Sequence, residues 1–180
     1  MPSTYANSPS IPSEELLQRN AKYAETHVAK LGKQHWEEFP KNAIITCMDD
    51  RLNLQNQLGL ADNDTITIRN GGGRVAEVLT TILIAQKFGS RHFMLIKHTD
   101  CGGFYISRDI LVKHFKNTNT KNPNAIDDFL PNQIGFGEKT VEEAVLGDVQ
   151  FLRDSPLIFE ETEVSGWVLD DSTGKIRQIA

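Results

Sequence analysis

"HFMLIKHTDCGG" occupies residues 92–103. A short, mostly apolar run ends in His98, and "TDCGG" follows with residues that favour a turn. The stretch reads as a buried strand over 92–98, followed by a helix over about 104–116. Upstream, "NAIITC" (42–47) and "TITIRN" (65–70) read as two more strands. The second runs into "GGG" (71–73), then a helix-period segment, "RVAEVLTTILIAQKFG" (74–89), closed by Gly89. Downstream, "KNTNTKNPNAIDD" (116–128) is a polar loop. "TVEEAVLGDVQFLRDS" (140–155) is helical, with Thr140 and Glu143 in a capping-box pattern. "VSGWVLDDSTGKIRQI" (164–179) reads as a strand, a turn at "DDSTG" and a second strand. Strands alternating with helices predict an α/β fold with a mostly parallel β-sheet core flanked by helices. There are no internal repeats.

The N-terminal part has another character. Residues 1–11 are rich in Ser, Pro and Asn and are expected to be a disordered tail. A helix is expected to start near Pro12 and Ser13, with Leu17, Ala21, Ala24, Val28 and Leu31 forming one narrow apolar stripe. Residues 12–38 are therefore read as a helical arm, docked on its own domain or on a second subunit, and 39–180 as the α/β domain.

The 180 residues are 39% hydrophobic and 24% charged, which fits a globular domain that needs no disulfide staples. A net charge of −5 argues against nucleic acid or an anionic membrane surface as a partner. No run approaches the roughly 20 apolar residues that span a bilayer. The first basic residue is Arg19 and no apolar core precedes it, so no secretory leader is expected and the protein is read as cytoplasmic. In that compartment two cysteines point to metal ligation, catalysis or plain core packing rather than a structural disulfide.

In open α/β sheets, ligands bind where parallel strands end. Cys47, Asn70 and His98 all fall at expected strand ends, which lines three separate pieces of sequence along one edge. His98 and Cys101 have His-x-x-Cys spacing, and Cys47 is the chain's other cysteine. Zinc favours thiolate and imidazole, and three protein ligands leave a fourth position open for chemistry. A structural zinc would need a fourth protein ligand, and Asp49 is placed to be an occasional one. Two alternatives stay open: both cysteines as small buried hydrophobes, or a reversible redox pair. Asp49 and Arg51 are two apart, so in extended chain they project to the same side as Cys47, while Met48 and Asp50 are spacers. Arginine's rigid fork holds a carboxylate in one orientation. "RNGGGRVA" (69–76) fits a loose Gly-x-Gly-x-x-Ala through Gly71, Gly73 and Ala76, which could cradle a dinucleotide. The acidic residue expected about 20 positions later is missing. The plain reading is close backbone packing.

"CMDDR", "RNGGG" and "HTDCGG" together, in this order, resemble the β-class carbonic anhydrases, whose pattern is Cys-x-Asp-x-Arg, Arg-Asn-Ala-Gly, then His-x-x-Cys-Gly. The likeness by motif covers about 40–110. It implies one zinc ion per chain on Cys47, His98 and Cys101, and an Asp49–Arg51 dyad that orients zinc-bound hydroxide or opens the site. It also implies a parallel sheet and an N-terminal helical arm wrapped on the partner of a homodimer or higher homo-oligomer. The implied enzyme is a lyase in which the hydroxide attacks carbon dioxide, a small neutral substrate, in a reversible hydration to bicarbonate. Gly71 stands where the family usually has Ala, and the chain is shorter than many members. Shorter members include hydrolases of carbonyl sulfide or carbon disulfide. A carbonyl sulfide hydrolase releasing carbon dioxide and hydrogen sulfide is therefore the alternative, and a non-catalytic nucleotide-binding module the more distant one. Gly71, Gly102 and Gly103 are the expected pocket, with the backbone N–H groups around Gly102 and Gly103 as donors to developing negative charge.

Overall fold

Ala43, Ile44, Ile45, Thr46 and Cys47 are all buried in strand β1 (Asn42–Cys47), as befits a strand covered on both faces. The computed structural model describes residues 13–29, 32, 37–118 and 121–180. They fall into two compact units, divided between Glu37 and Glu38.

The second unit is built on one sheet of five strands in the order β2-β1-β3-β4-β5. These are β1, β2 (Thr65–Asn70), β3 (His92–His98), β4 (Glu163–Leu169) and β5 (Ile176–Gln178). The first four are parallel and β5 runs antiparallel to β4. The mostly parallel sheet flanked by helices is thus present. Alternation along β1 and β3 divides the core. Ala43, Ile45, Phe93 and Leu95 join Ile82, Val145, Val149 and Leu152 on one side. Ile44 and Ile96 join Leu52, Leu54 and Phe136 on the other. Ile82 belongs to helix α3 (Leu79–Lys87), and the three residues 145, 149 and 152 to α6 (Val141–Arg153). Helix α6 opens with the capping box: Glu143 N donates to the Thr140 hydroxyl, and Thr140 N to the Glu143 carboxylate.

Several boundaries differ from expectation. The segment after the glycines is not helical from residue 74. Gly72 and Gly73 have positive φ and Arg74 is extended, so a 3-10 turn spans Val75–Val78 and the α-helix starts only at Leu79. A 3-10 turn also spans Gly102–Phe104, and the following helix α4 (Arg108–Lys116) begins after Ser107, whose hydroxyl accepts from Ile110 N. The polar loop contains a short helix, α5 (Ile126–Phe129). A short helix α2 (Leu54–Leu58) was not expected; Asn53 caps its start and Gly59, with φ 65°, its end.

In the first unit, helix α1 (Glu14–Ala24) starts at the Ser13 cap and buries none of its residues. It stops at Ala24, so the apolar stripe is not carried on one helix. Val28 lies beyond it, exposed, and Leu31 and the 1–11 tail lie outside the described residues. No helix among the described residues is long and apolar enough to cross a membrane.

The two left-handed glycines next to β1 and after α2 give a test of what the site's turn tolerates. A β-carbon at Gly59 meets open space, whereas one at Gly73 lies 2.8 Å from the Thr46 carbonyl carbon. Gly59→Ala is expected to cost about 1–2 kcal/mol from the left-handed backbone alone. Gly73→Ala is expected to cost distinctly more, as read by chemical denaturation of both variants.

Candidate metal centre

The register of the sheet brings three pieces of chain together. Cys47 pairs with Asn70 at the ends of β1 and β2, and Thr46 with Ile96 two residues before the end of β3. Cys47 and His98 therefore emerge from neighbouring strands. Cys101 returns to them through a tight turn in which Asp100 takes φ 50°, a conformation Asp tolerates better than most residues. The Cys47 sulfur, a His98 nitrogen and the Cys101 sulfur lie within 4.8 Å of one another, and all three residues are buried. The two sulfurs are 3.7 Å apart. Asn70 lies at the same edge but turns away, donating to the Arg74 carbonyl and to Glu77.

The donor set fits a metal cation. His98 Nδ1 is 2.7 Å from Asp171 Oδ2. An ionised carboxylate can only accept, so Nδ1 carries the proton and Nε2 is directed at the sulfurs. Nε2 is buried and has no hydrogen-bond partner, a costly state unless something binds there. Burial opposes a positive charge on the ring, but the Cys47 sulfur and Asp171 outweigh it and hold the His98 pKa above its ordinary value. The same anionic surroundings favour a metal ion. The Cys101 thiol, His98 and the Asp49 and Gly72 amides stabilise a thiolate at Cys47, lowering its pKa to about 3 despite burial. Hydrogen bonding to Cys47 and burial push Cys101 the other way. Gly72 N lies 3.3 Å from the Cys47 sulfur and Gly103 N 3.4 Å from that of Cys101. Two sulfurs and one imidazole are a zinc-type donor set with room for a fourth ligand.

Asp49 and Arg51 do pair, but not through extended chain. After Cys47 the backbone turns, with Leu52 N donating to the Asp49 carbonyl. Arg51 folds back onto Asp49. Its amide and Nε donate to Oδ1 at 3.0 and 2.9 Å, and a terminal nitrogen donates to Oδ2 at 2.7 Å. This grip drives the Asp49 pKa far below the usual carboxylate range and raises that of Arg51. Arg51 also binds the Asp100 carboxylate and carbonyl and lies 3.6 Å from Asp171. The Asp49 carboxylate, so held, comes within 3.9 Å of His98 Nε2. Asp50 is exposed, in keeping with a spacer. Arg69 braces the turn from β2, donating to the carbonyls of Cys47 and Asp49.

Beside the donor group lies a cavity of about 480 Å³ with mostly apolar walls, including Ile106, Leu111, Ile134 and Phe136. Gly71, Gly102 and Gly103 all line it. Three expectations change here. The Gly103 N–H is committed to the Cys101 sulfur and is not a free donor toward a substrate. Met48, read as a spacer, is exposed and lines the cavity. Gly73 is pressed against the Thr46 and Cys47 backbone and the next residues form a 3-10 turn, so "GGG" is a packing device, not a phosphate cradle at the start of an α-helix.

Asp171 was missed from sequence. It sits in the turn between β4 and β5, 73 residues from His98, and its own amide donates to the Thr99 hydroxyl. "DDSTG" reads fully as a turn, which hides a second task. Asp171→Ala is expected to lower zinc affinity roughly 10–100-fold in chelator competition. Asp50→Ala is expected to leave it unchanged.

No family model matches the sequence. A carbon disulfide hydrolase of Acidithiobacillus thiooxidans is 30% identical over 148 residues, 74% of each chain. Among solved structures, a carbonic anhydrase from Glaciozyma antarctica superposes with a TM-score of 0.76 at 32% identity, covering 99% of this chain and 100% of that one. A carbonic anhydrase from Streptococcus mutans gives 0.74 at 31% identity, with 100% of both chains covered.

Proposed function

The chain belongs to the β-carbonic anhydrase family, and on that premise we propose that it is a zinc enzyme catalysing the reversible hydration of carbon dioxide to bicarbonate. The observation that carries this reading is the buried Cys47–His98–Cys101 donor group facing an apolar cavity, with the Asp49–Arg51 pair at its edge.

Cys47, His98 and Cys101 would hold one zinc ion per chain. Bound there, zinc supplies Lewis acidity that brings the pKa of a water ligand toward about 7. The Gly72 and Gly103 amides draw charge from the two sulfurs, which otherwise weaken that acidity. Asp171 fixes the imidazole with Nε2 toward the site. Arg51 saturates one oxygen of Asp49 and half-occupies the other, keeping the carboxylate in place and leaving it a lone pair. That lone pair can accept a hydrogen bond from the attacking water and aim its oxygen at the substrate carbon. Ile106, Leu111, Ile134 and Phe136 receive a neutral, linear molecule and exclude bulk water around it. Water and carbon dioxide give bicarbonate and a proton.

A second reading, hydrolysis of carbonyl sulfide or carbon disulfide, is favoured by the same cavity. It offers apolar contact well beyond what carbon dioxide fills, and sulfur, being larger and more polarisable, gains more from dispersion. The Acidithiobacillus relative carries that activity in its name. We place the protein in the cytoplasm, where its two free thiols stay reduced. We also propose that it works as a homo-oligomer, in which Leu16, Leu17 and Tyr23, exposed on α1, pack against a second subunit.

The test is a side-by-side assay on one preparation of known metal content. The purified protein should carry about one zinc per chain and hydrate carbon dioxide, and Cys101→Ser should lose both metal and activity. Turnover of the sulfur substrates with little hydration would favour the second reading. Full activity without metal would overturn both.

A further inference from the structure

Lys97 lies between Ile96 and His98 in β3 with only 2% of its surface exposed. Its three ammonium protons have three acceptors: Asp148 Oδ2 at 2.7 Å and the carbonyls of Gly72 and Gly73, each at 3.2 Å. The Phe136 ring centre is 4.8 Å from Nζ. Asp148 is only partly buried, but taking an ammonium into a core is costly even when it is paired, and an apolar residue of similar size usually serves stability as well or better. The catalytic residues above do not touch this pair.

What it does touch is the turn over the metal centre. Gly72 and Gly73 have φ 72° and 63° in succession. Glycine adopts such angles readily but does not prefer them, so neighbours must impose this shape. Lys97 holds both carbonyls of the turn. Asp148 also accepts from Val75 N at 3.3 Å, fixing the far end. Phe136 occupies the space that a β-carbon at Gly72 or Gly103 would take. The free end of the clamped turn is the Gly72 N–H, which donates to the Cys47 sulfur.

We propose that Lys97, fixed by Asp148, is a positioning residue that holds the Gly72 amide on the Cys47 sulfur and thereby sets how strongly that thiolate donates to the metal. The inference rests on the zinc reading of the site. An N–H···S bond lowers the energy of the sulfur lone pair. When the turn is freed, the sulfur becomes a more electron-rich and less well-placed ligand.

The experiment uses the full chain with cobalt(II) in place of zinc. Lys97→Met alone would leave the part-buried Asp148 carboxylate without its ammonium partner, so the working variant is Lys97→Met with Asp148→Asn, which removes both charges. Its thiolate-to-cobalt absorption band is expected to move to longer wavelength, and its zinc affinity to fall roughly 10–100-fold in chelator competition. A folded double variant with the wild-type band and affinity overturns the inference. If the double variant does not fold, Lys97→Met alone, which also removes both bonds to the turn, is read in the same way: a shift to longer wavelength supports the clamp and an unshifted band overturns it. Failure of the wild-type protein to bind zinc or cobalt would instead overturn the zinc reading, so the two failures are distinguishable.

Discussion

The register between β1 and β3 is the constraint from which the site follows. Asn42 pairs with His92 and Thr46 with Ile96, and the buried Thr46 hydroxyl donates to the Ile96 carbonyl at 2.8 Å. That bond sits one residue before Cys47 and two before His98. A slip of one residue would displace Cys47 from His98 by about 3.3 Å and reverse the faces of a strand buried on both sides. The alternation that divides Ala43 and Ile45 from Ile44 opposes such a slip throughout the strand. The apolar core thus does the aligning, and Cys47 and His98 emerge where it ends.

Charge is arranged around that edge in two layers. The exposed layer is Arg51, which joins three carboxylates from separate segments: Asp49, Asp100 and Asp171. It grips Asp49, whose carboxylate comes within 3.9 Å of His98 Nε2, and lies 3.6 Å from Asp171, which orients His98. The buried layer is Lys97, which is paired with the part-buried Asp148 and donates to two backbone carbonyls. Between the layers lie the two sulfurs, each with an amide donor from a glycine. The glycines after β2 and β3 admit this approach, since a side chain at Gly72 or Gly103 would collide with Phe136 and one at Gly73 with β1 itself.

Much of this is visible in the sequence, for local reasons. The strands at 42–47 and 92–98 are mostly apolar runs, the one at 65–70 alternates Thr with Ile, and α6 announces itself by its capping box. The donor group is legible because Cys is scarce and His-x-x-Cys is compact. What escapes is set by distant contacts or by small backbone events. Asp171 earns its role only through a strand pairing 73 residues away from His98 in sequence. Helix α2 is one turn between Asn53 and Gly59, too short for a periodicity to register. The stripe from Leu17 to Val28 continues past Ala24, where the helix stops. Lys97 is the instructive case. A buried lysine following four apolar residues in a central strand contradicts its surroundings, and such contradictions mark places where packing is not the whole story.

The central claim is that Cys47, His98 and Cys101 form one zinc site with a position left open. X-ray absorption at the zinc edge of the purified protein tests it most directly. The account predicts two sulfur neighbours at about 2.3 Å and lighter nitrogen or oxygen neighbours at about 2.0–2.1 Å. A zinc shell with no sulfur, or one with three or four, would contradict it.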